Sequence, residues 1–385
     1  MALVHIICIE SQMKIRILFT IPNFDTAGSG KALLNIAKGL NPDNFEVHIL
    51  CKHNRGEFFN TVKSSGVPVH VFEYETAMRP ILRGLYGCWK ISRLIKKIKP
   101  DIVHSFHYSA DYSEALASRL AGAKWVFTKK NMSWGGPSKN AWKVRSFLAK
   151  GIAVQNTDMI KQFYPNSNKI ELIPRGVNLV QFQEKEADLG VKLSLSIPNE
   201  ARIIICVANM VPVKGVELLI QAFASLESEF LNWYVLLVGD INSNYGESLI
   251  TLTESYGLTK RIRFTGKQTN VNDYLNLAEI FVLPTKDEGR REGSPVALLE
   301  AMANGKIVIG SAVPGVKDQL QQFPQNQFEP GNWEDLREKL MILMQKSIEE
   351  NKSQGKKFVK HVFDDYSLNL ELKRHSNFYL KIKND

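Results

Sequence analysis

Glu292-Gly-Ser-Pro-Val-Ala-Leu-Leu-Glu300-Ala-Met-Ala-Asn-Gly305 is the stretch on which the reading of the whole chain turns. Pro295 suits the first turn of a helix, Ser294 before it is a candidate N-cap, and Gly305 can close the helix. Between them Val296, Ala297, Leu298, Leu299, Ala301, Met302 and Ala303 leave no polar face, the pattern of a buried helix. Glu300 interrupts it. A carboxylate in such a place is costly unless something hydrogen-bonds it, and no basic residue stands at 296, 297, 303 or 304 to pair along the helix. A ligand's hydroxyl groups would satisfy it. The free N–H groups at the helix start near Ser294 favour a phosphate. The plain structural alternative is a core helix whose Glu300 pairs with a distant Arg or Lys.

The interval from Glu292 to Glu300, with Gly293 after the first and Leu298-Leu299 before the second, resembles the E-x7-E motif of the family-4 glycosyltransferases. Companion segments resemble the same family in order and interval. They are Val207 to Gly215 with its closing Lys214-Gly215, Leu236 to Asp240, Ile173 to Val177, and Ile280 to Thr285. The resemblance runs over roughly residues 14 to 320 and is strongest from 170 onward. It implies a retaining enzyme of GT-B architecture, with two Rossmann-like parallel-sheet domains facing across a cleft. It also implies that Glu292 contacts the donor's sugar and Glu300 the nucleotide's ribose. Glu288-Gly289 is a competing start, but only Glu292 has the right interval to Glu300.

At 385 residues the chain is long enough for two domains, each with its own core. The expected division is 1–182 for an acceptor-side domain, 183–364 for a nucleotide-sugar domain, and 365–385 for a helix crossing back to the first. Cys8, Cys51, Cys88 and Cys206 are far apart with no C-x2-C pair, which argues against zinc and disulfide frameworks and for a reducing, cytoplasmic setting. No apolar run approaches a membrane span. The opening Met1-Ala-Leu-Val-His-Ile-Ile-Cys-Ile9 lacks a basic leader, and Met13 reads as a natural start.

The net charge of +10 is unevenly distributed. Residues 1–180 hold 25 Lys and Arg against 12 Asp and Glu, whereas the remainder holds 24 against 27. A basic half implies an anionic partner. No nucleic-acid module is recognisable; the resemblance to glycosyltransferases, many of whose acceptors are lipid-linked, implies an anionic membrane surface instead, with solvated surface charge as the bland account. Residues 79–99 reinforce it. Leu82, Leu85, Tyr86, Trp89, Leu94, Ile95 and Ile98 alternate there with seven Lys or Arg, as in a basic amphipathic helix. Lys and Trp recur from 124 to 150 (Trp125, Trp134, Trp142), where aromatic faces could serve as an acceptor platform; ordinary packing accounts for them equally well.

The strand Lys14 to Ile21 leads into the loop carrying Gly28-Ser29-Gly30-Lys31. A P-loop would need Gly at 25 and Ser or Thr at 32, where Asp25 and Ala32 stand. A dinucleotide fingerprint would need Gly at 33, where Leu33 stands, and no acidic residue ends Val47 to Cys51. A cleft-facing glycine turn remains, as the resemblance implies. Asp101 to His107 reads as a strand entering the cleft. The family usually has a second His two places after the first, but Phe106 follows His104 here, so His107 is the remaining candidate for a catalytic imidazole.

Strand-like runs at 202–208, 233–239, 262–265, 280–284 and 307–311, separated by helical stretches, imply a parallel sheet with ligands at its C-terminal strand ends. Lys214 and Glu292 fall in such loops. The family often places an Arg near Lys214. Asn209 and Val211 stand in those places. The donor-binding set expected is Lys214, Asn209, Gly293, Ser294, Pro295 and Glu300, with Glu292 orienting the reacting sugar. Lys214 and helix N–H groups would stabilise the leaving diphosphate, so no metal or cofactor is expected. The expected function is sugar transfer from a nucleotide diphosphate sugar to a hydroxyl acceptor, such as a lipid-linked or cell-surface glycan precursor. The alternatives are another enzyme of the same architecture, such as an epimerase, and a nucleotide-sugar-binding protein with altered catalysis.

Overall fold

The computed structural model describes residues 14–25, 27–133, 139–288 and 292–385. The first thirteen residues, Trp134 and Gly289, on which some expectations fell, lie outside them. The first sheet contains β1 (Ile15–Ile21), β2 (Phe45–Cys51), β3 (Val69–Val71), β4 (Ile102–Ser105), β5 (Lys124–Lys129), β6 (Gly151–Val154) and β7 (Ile170–Leu172). The second contains β8 (Arg202–Val207), β9 (Trp233–Val238), β10 (Ile262–Gly266), β11 (Ile280–Leu283), β12 (Ile307–Ser311) and β13 (Gln327–Phe328). The inner strands are nearly continuous apolar runs, as parallel strands covered by helices on both faces require. β4, β6, β11 and β12 are buried at every position.

Strand order is β3-β2-β1-β4-β5-β6-β7 in the first sheet and β10-β9-β8-β11-β12-β13 in the second, with all neighbours parallel. Each order reverses once, between β1 and β4 and between β8 and β11. Loops after such strands diverge to opposite sides and leave a crevice at the strands' C-terminal ends. The Gly28 loop follows β1 and Phe106-His107 follows β4. Lys214 follows β8 and Glu292 follows β11. The four segments singled out in the sequence therefore flank the two crevices, one in each domain.

The C-terminal helix Leu368–Asn384 returns to the first domain and completes its core with Phe378, Tyr379 and Ile382. Tyr379 OH meets the buried His104 ring at 2.6 Å, and Leu372 packs where any side chain at Gly39 would stand. The same helix holds the linker. Glu371 accepts from the Gly176 N–H at 2.8 Å and pairs with Arg175 at 3.0 Å. Both side chains are nearly sealed from water: Arg175 is 9% exposed and Glu371 1%. Removing one partner would strand the other charge, a loss of about 3–5 kcal/mol.

The helix Ile81–Ile98 buries only one of its two apolar stripes. It buries Gly84, Cys88, Ile91, Ile95 and Ile98, while Leu82 (79%), Leu85 (46%), Tyr86 (55%) and Trp89 (50%) are exposed. The glycines decide which stripe is buried. Side chains at Gly84 and Gly87 would collide with Met78 and Thr76, so the preceding segment lies against that face.

Candidate active site

Lys214 closes a single turn, Pro212–Lys214, and the next residue, Gly215, takes φ of 60°. A Cβ there would press on the Pro284 carbonyl beyond β11, so only glycine lets the β8 loop lie against the end of the neighbouring strand. This approach brings the Lys214 ammonium onto the Glu292 carboxylate as a direct ion pair, each side chain about one-fifth exposed. Glu292 lines the cleft. Glu288 does not: its carboxylate pairs with Lys286 at 2.9 Å and is 57% exposed.

The helix after this loop runs Val296–Ala303. Pro295 is its N-cap and Ser294 makes no capping bond. This corrects the expectation for Ser294, whose hydroxyl accepts instead from the Arg175 N–H at 3.2 Å and the Gln319 amide at 3.1 Å. It ties the helix start to the interdomain linker. Asn304 and a left-handed Gly305 end the helix. Glu300 opens into the cleft and has no hydrogen bond or ion pair among the described residues. Burial pushes its carboxyl up to about 7, against the opposing pull of Lys31 and then Arg175. The distant basic partner left open by the sequence thus exists only as a field.

The first domain supplies the facing wall. Gly28 and Ser29 line the cleft, and Gly30 is pressed behind it against Phe24 and Phe58. Ser29 Oγ meets Tyr108 OH at 2.9 Å, while the Lys130 ammonium donates to the Phe106 carbonyl and stands 3.7 Å over the Tyr108 ring. β4 ends at Ser105, so strand alternation does not govern the residues beyond it. Phe106 and Tyr108 reach the cleft; His107 lies outside its lining, with Nδ1 held by Glu75 and 3.1 Å from Ser109 Oγ. The donor-set residues Asn209, Gly293, Ser294 and Glu300 share one cavity of about 430 Å³ with Glu292. Lys214 and Pro295 stand behind that lining. Lys31, Arg175, Gln155 and Asn178 line it too. Both Lys31 and Arg175 lie in segments singled out in the sequence, the glycine turn and the Ile173 to Val177 stretch, but neither is in the expected donor-binding set.

The expected aromatic platform does not form from Trp125 and Trp142, which are buried around the Arg145 guanidinium. Among the described residues, no group of three or more His, Cys, Asp or Glu is arranged to hold a metal ion.

Comparison with known proteins agrees with this geometry. Residues 192–361 match the family described as Glycosyl transferases group 1, and residues 26–181 match Glycosyltransferase Family 4. A capsular polysaccharide biosynthesis glycosyltransferase, CapH of Staphylococcus aureus, is 26% identical over 93% of this chain and 98% of its own. The Escherichia coli UDP-Gal:alpha-D-GlcNAc-diphosphoundecaprenol alpha-1,3-galactosyltransferase is 27% identical over 73% of this chain and 76% of its own. In architecture the chain is similar to a glycosyltransferase from Rickettsia africae (TM-score 0.83, 21% identity, 96% and 99% coverage). It is also similar to Anabaena HepE in complex with UDP-glucose (TM-score 0.78, 16% identity, 96% and 100% coverage). The fold is GT-B and the activity class is glycosyl transfer. The chain belongs to the family-4 glycosyltransferases.

The two glutamates are expected to separate experimentally. Glu300→Ala should weaken a nucleoside diphosphate and the intact donor alike by about 1.5–3 kcal/mol. Glu292→Ala should spare the nucleoside diphosphate and lower turnover. Because ribose hydroxyls donate to an ionised carboxylate, donor affinity should rise with pH up to about 7 and level off above it. Below that point it should fall by at most ~tenfold per unit. Glu300→Gln should abolish the slope. Calorimetric titration with nucleoside diphosphate and donor reads the affinities, and a turnover assay reads Glu292→Ala. The pH series uses the donor, whose diphosphate does not titrate in this range, and a slope that persists in Glu300→Gln would exclude Glu300 as its source.

Proposed function

We propose that this enzyme moves a sugar from a nucleotide diphosphate donor to an acceptor hydroxyl with retention of anomeric configuration. The observation that carries the reading is Glu300, a carboxylate that burial disfavours, opening without a partner into the same cavity as Glu292. Its missing hydrogen bonds are those a ribose diol provides.

Departure of the nucleoside diphosphate leaves the sugar cationic and concentrates negative charge on the phosphates. The Lys214 ammonium, paired with Glu292, swings to the phosphates as the donor enters. Glu292 then faces the sugar's hydroxyls. N–H groups at the start of the helix Val296–Ala303 add a fixed positive potential. These groups give the diphosphate its electrostatic support from the chain itself, so activity does not require a divalent metal. Among the described residues, those that the first domain and the linker after it bring to the cleft include no carboxylate or imidazole. In-line displacement would need such a base beside the acceptor. Front-side attack does not, since the departing phosphate oxygen takes the acceptor's proton.

The acceptor in this reading is a glycan precursor presented on lipid; one relative's name specifies a diphosphoundecaprenol-linked sugar. The first domain would meet an anionic, cytoplasm-facing membrane surface through the helix Ile81–Ile98. That helix carries five Lys or Arg and no acidic residue, and it exposes Leu82, Leu85, Tyr86 and Trp89 beside them. Among the described residues no helix is long and apolar enough to cross a membrane.

Two measurements test this reading. Incubation with UDP-, GDP- and ADP-sugars plus a glycolipid acceptor should release nucleoside diphosphate from one donor class, undiminished by EDTA; loss restored by magnesium or manganese would refute the metal-free assignment. Sedimentation with vesicles should occur with acidic lipid, weaken as salt rises, and fall severalfold in Leu82→Ser/Trp89→Ser. Equal binding to neutral vesicles would contradict the charge argument, and unchanged binding of the double variant would remove this helix as the contact.

A further inference from the structure

Among the described residues four cations stand at or beside the cleft, and they differ in what already holds them. Lys214 is committed to Glu292, Arg175 to Glu371, and Lys130 to the Phe106 carbonyl with Ser29 Oγ at 3.4 Å. Lys31 lines the cavity from the helix Ala27–Gly39 of the first domain, and no hydrogen bond or ion pair engages its ammonium among the described residues. It faces Glu300 across the domain boundary. Of the charged groups around that carboxyl it exerts the larger pull, ahead of Arg175.

We propose that Lys31 is the first domain's contact to the donor's diphosphate, a cross-cleft cation complementing Lys214 on the opposite wall. The inference rests on the reading of the cleft as a nucleotide-sugar site. A nucleoside diphosphate brings two or more negative charges into a cavity whose other described cations must first surrender or share a partner, whereas Lys31 has none to surrender among the described residues. Its long, unbranched side chain springs from a helix on the wall opposite Glu292 and Glu300. A phosphate between them would therefore be bridged by both domains. The placement also assigns Lys31 a selectivity. It recognises charge on the phosphates, while Glu300 recognises the ribose, so nucleosides lacking phosphate do not gain from it.

A pair of titrations on the full chain separates these roles, using UDP, GDP and ADP and the matching nucleosides, with Lys31→Met and Lys31→Arg compared with the unaltered protein. Lys31→Met should weaken the bound nucleoside diphosphate about tenfold or more, the scale of a hydrogen bond to a charged group. It should leave the nucleoside unchanged, and Lys31→Arg should restore most of the diphosphate affinity. The salt dependence of diphosphate binding should flatten in Lys31→Met, since one exposed charge has been removed. Unaltered melting temperatures confirm folding. Undiminished diphosphate binding by Lys31→Met overturns this proposal alone. Equal loss of nucleoside and diphosphate also overturns it, placing the effect on Glu300. If the unaltered protein binds none of the three diphosphates, the donor reading falls and takes this proposal with it.

Discussion

At Gly293 the two domains meet backbone to backbone. A Cβ there would come within 2.2 Å of the Lys130 carbonyl and 2.7 Å of the Gln155 side chain. From the other side, Gly315 approaches so closely that its own Cβ would stand 2.5 Å from the Gly293 carbonyl. That carbonyl accepts from the buried Asn156 amide at 2.7 Å, across the domain boundary. One residue further, Thr157 donates its N–H and hydroxyl to Asp318 at 2.7 and 2.9 Å. The loop carrying Glu292 is therefore referenced to both domains. A larger residue at 293 would push apart the walls whose separation the reaction requires.

From this contact the site's geometry is built in short steps. Glu292 precedes the clasp and is steadied by Lys214, which Gly215 brings to the end of β11. Ser294 comes directly after the clasp and is tied to the linker through Arg175, itself held by Glu371 from the returning C-terminal helix. The helix then carries Glu300 into the cavity, with five of its residues buried in the second core. The walls are set by backbone contacts and by the core, and the charge facing the cavity is carried at the ends of Lys214, Lys31 and Glu292. This division suits a cleft that must reorganise charge without rebuilding its walls.

Much of this was legible in the residues because it rests on local pattern. The five strand runs of the second domain fall within a residue or so of β8 to β12, since buried parallel strands are apolar throughout. The helix 296–303 is marked by Pro295, Gly305 and seven apolar residues. The rest depends on partners distant in sequence. Nothing near Ser294 announces that its hydroxyl will serve Arg175, 119 residues away, rather than its own helix. Helix 81–98 has two apolar stripes, and periodicity cannot choose between them; two glycines and a neighbouring segment do. Trp125 and Trp142 look like a sugar platform in one dimension and prove to be walls around Arg145. Lys31 is conspicuous only once the other cations are seen to be engaged.

The central claim is that the donor's own phosphate takes the acceptor's proton on the face from which it departs. The anomeric configuration of the first product tests this most directly, read by NMR at early turnover from a donor of known configuration. The account requires the new glycosidic bond to keep the donor's configuration. An inverted product would demand a base on the opposite face, and would contradict both the front-side route and the roles assigned to Glu292 and the first domain's wall.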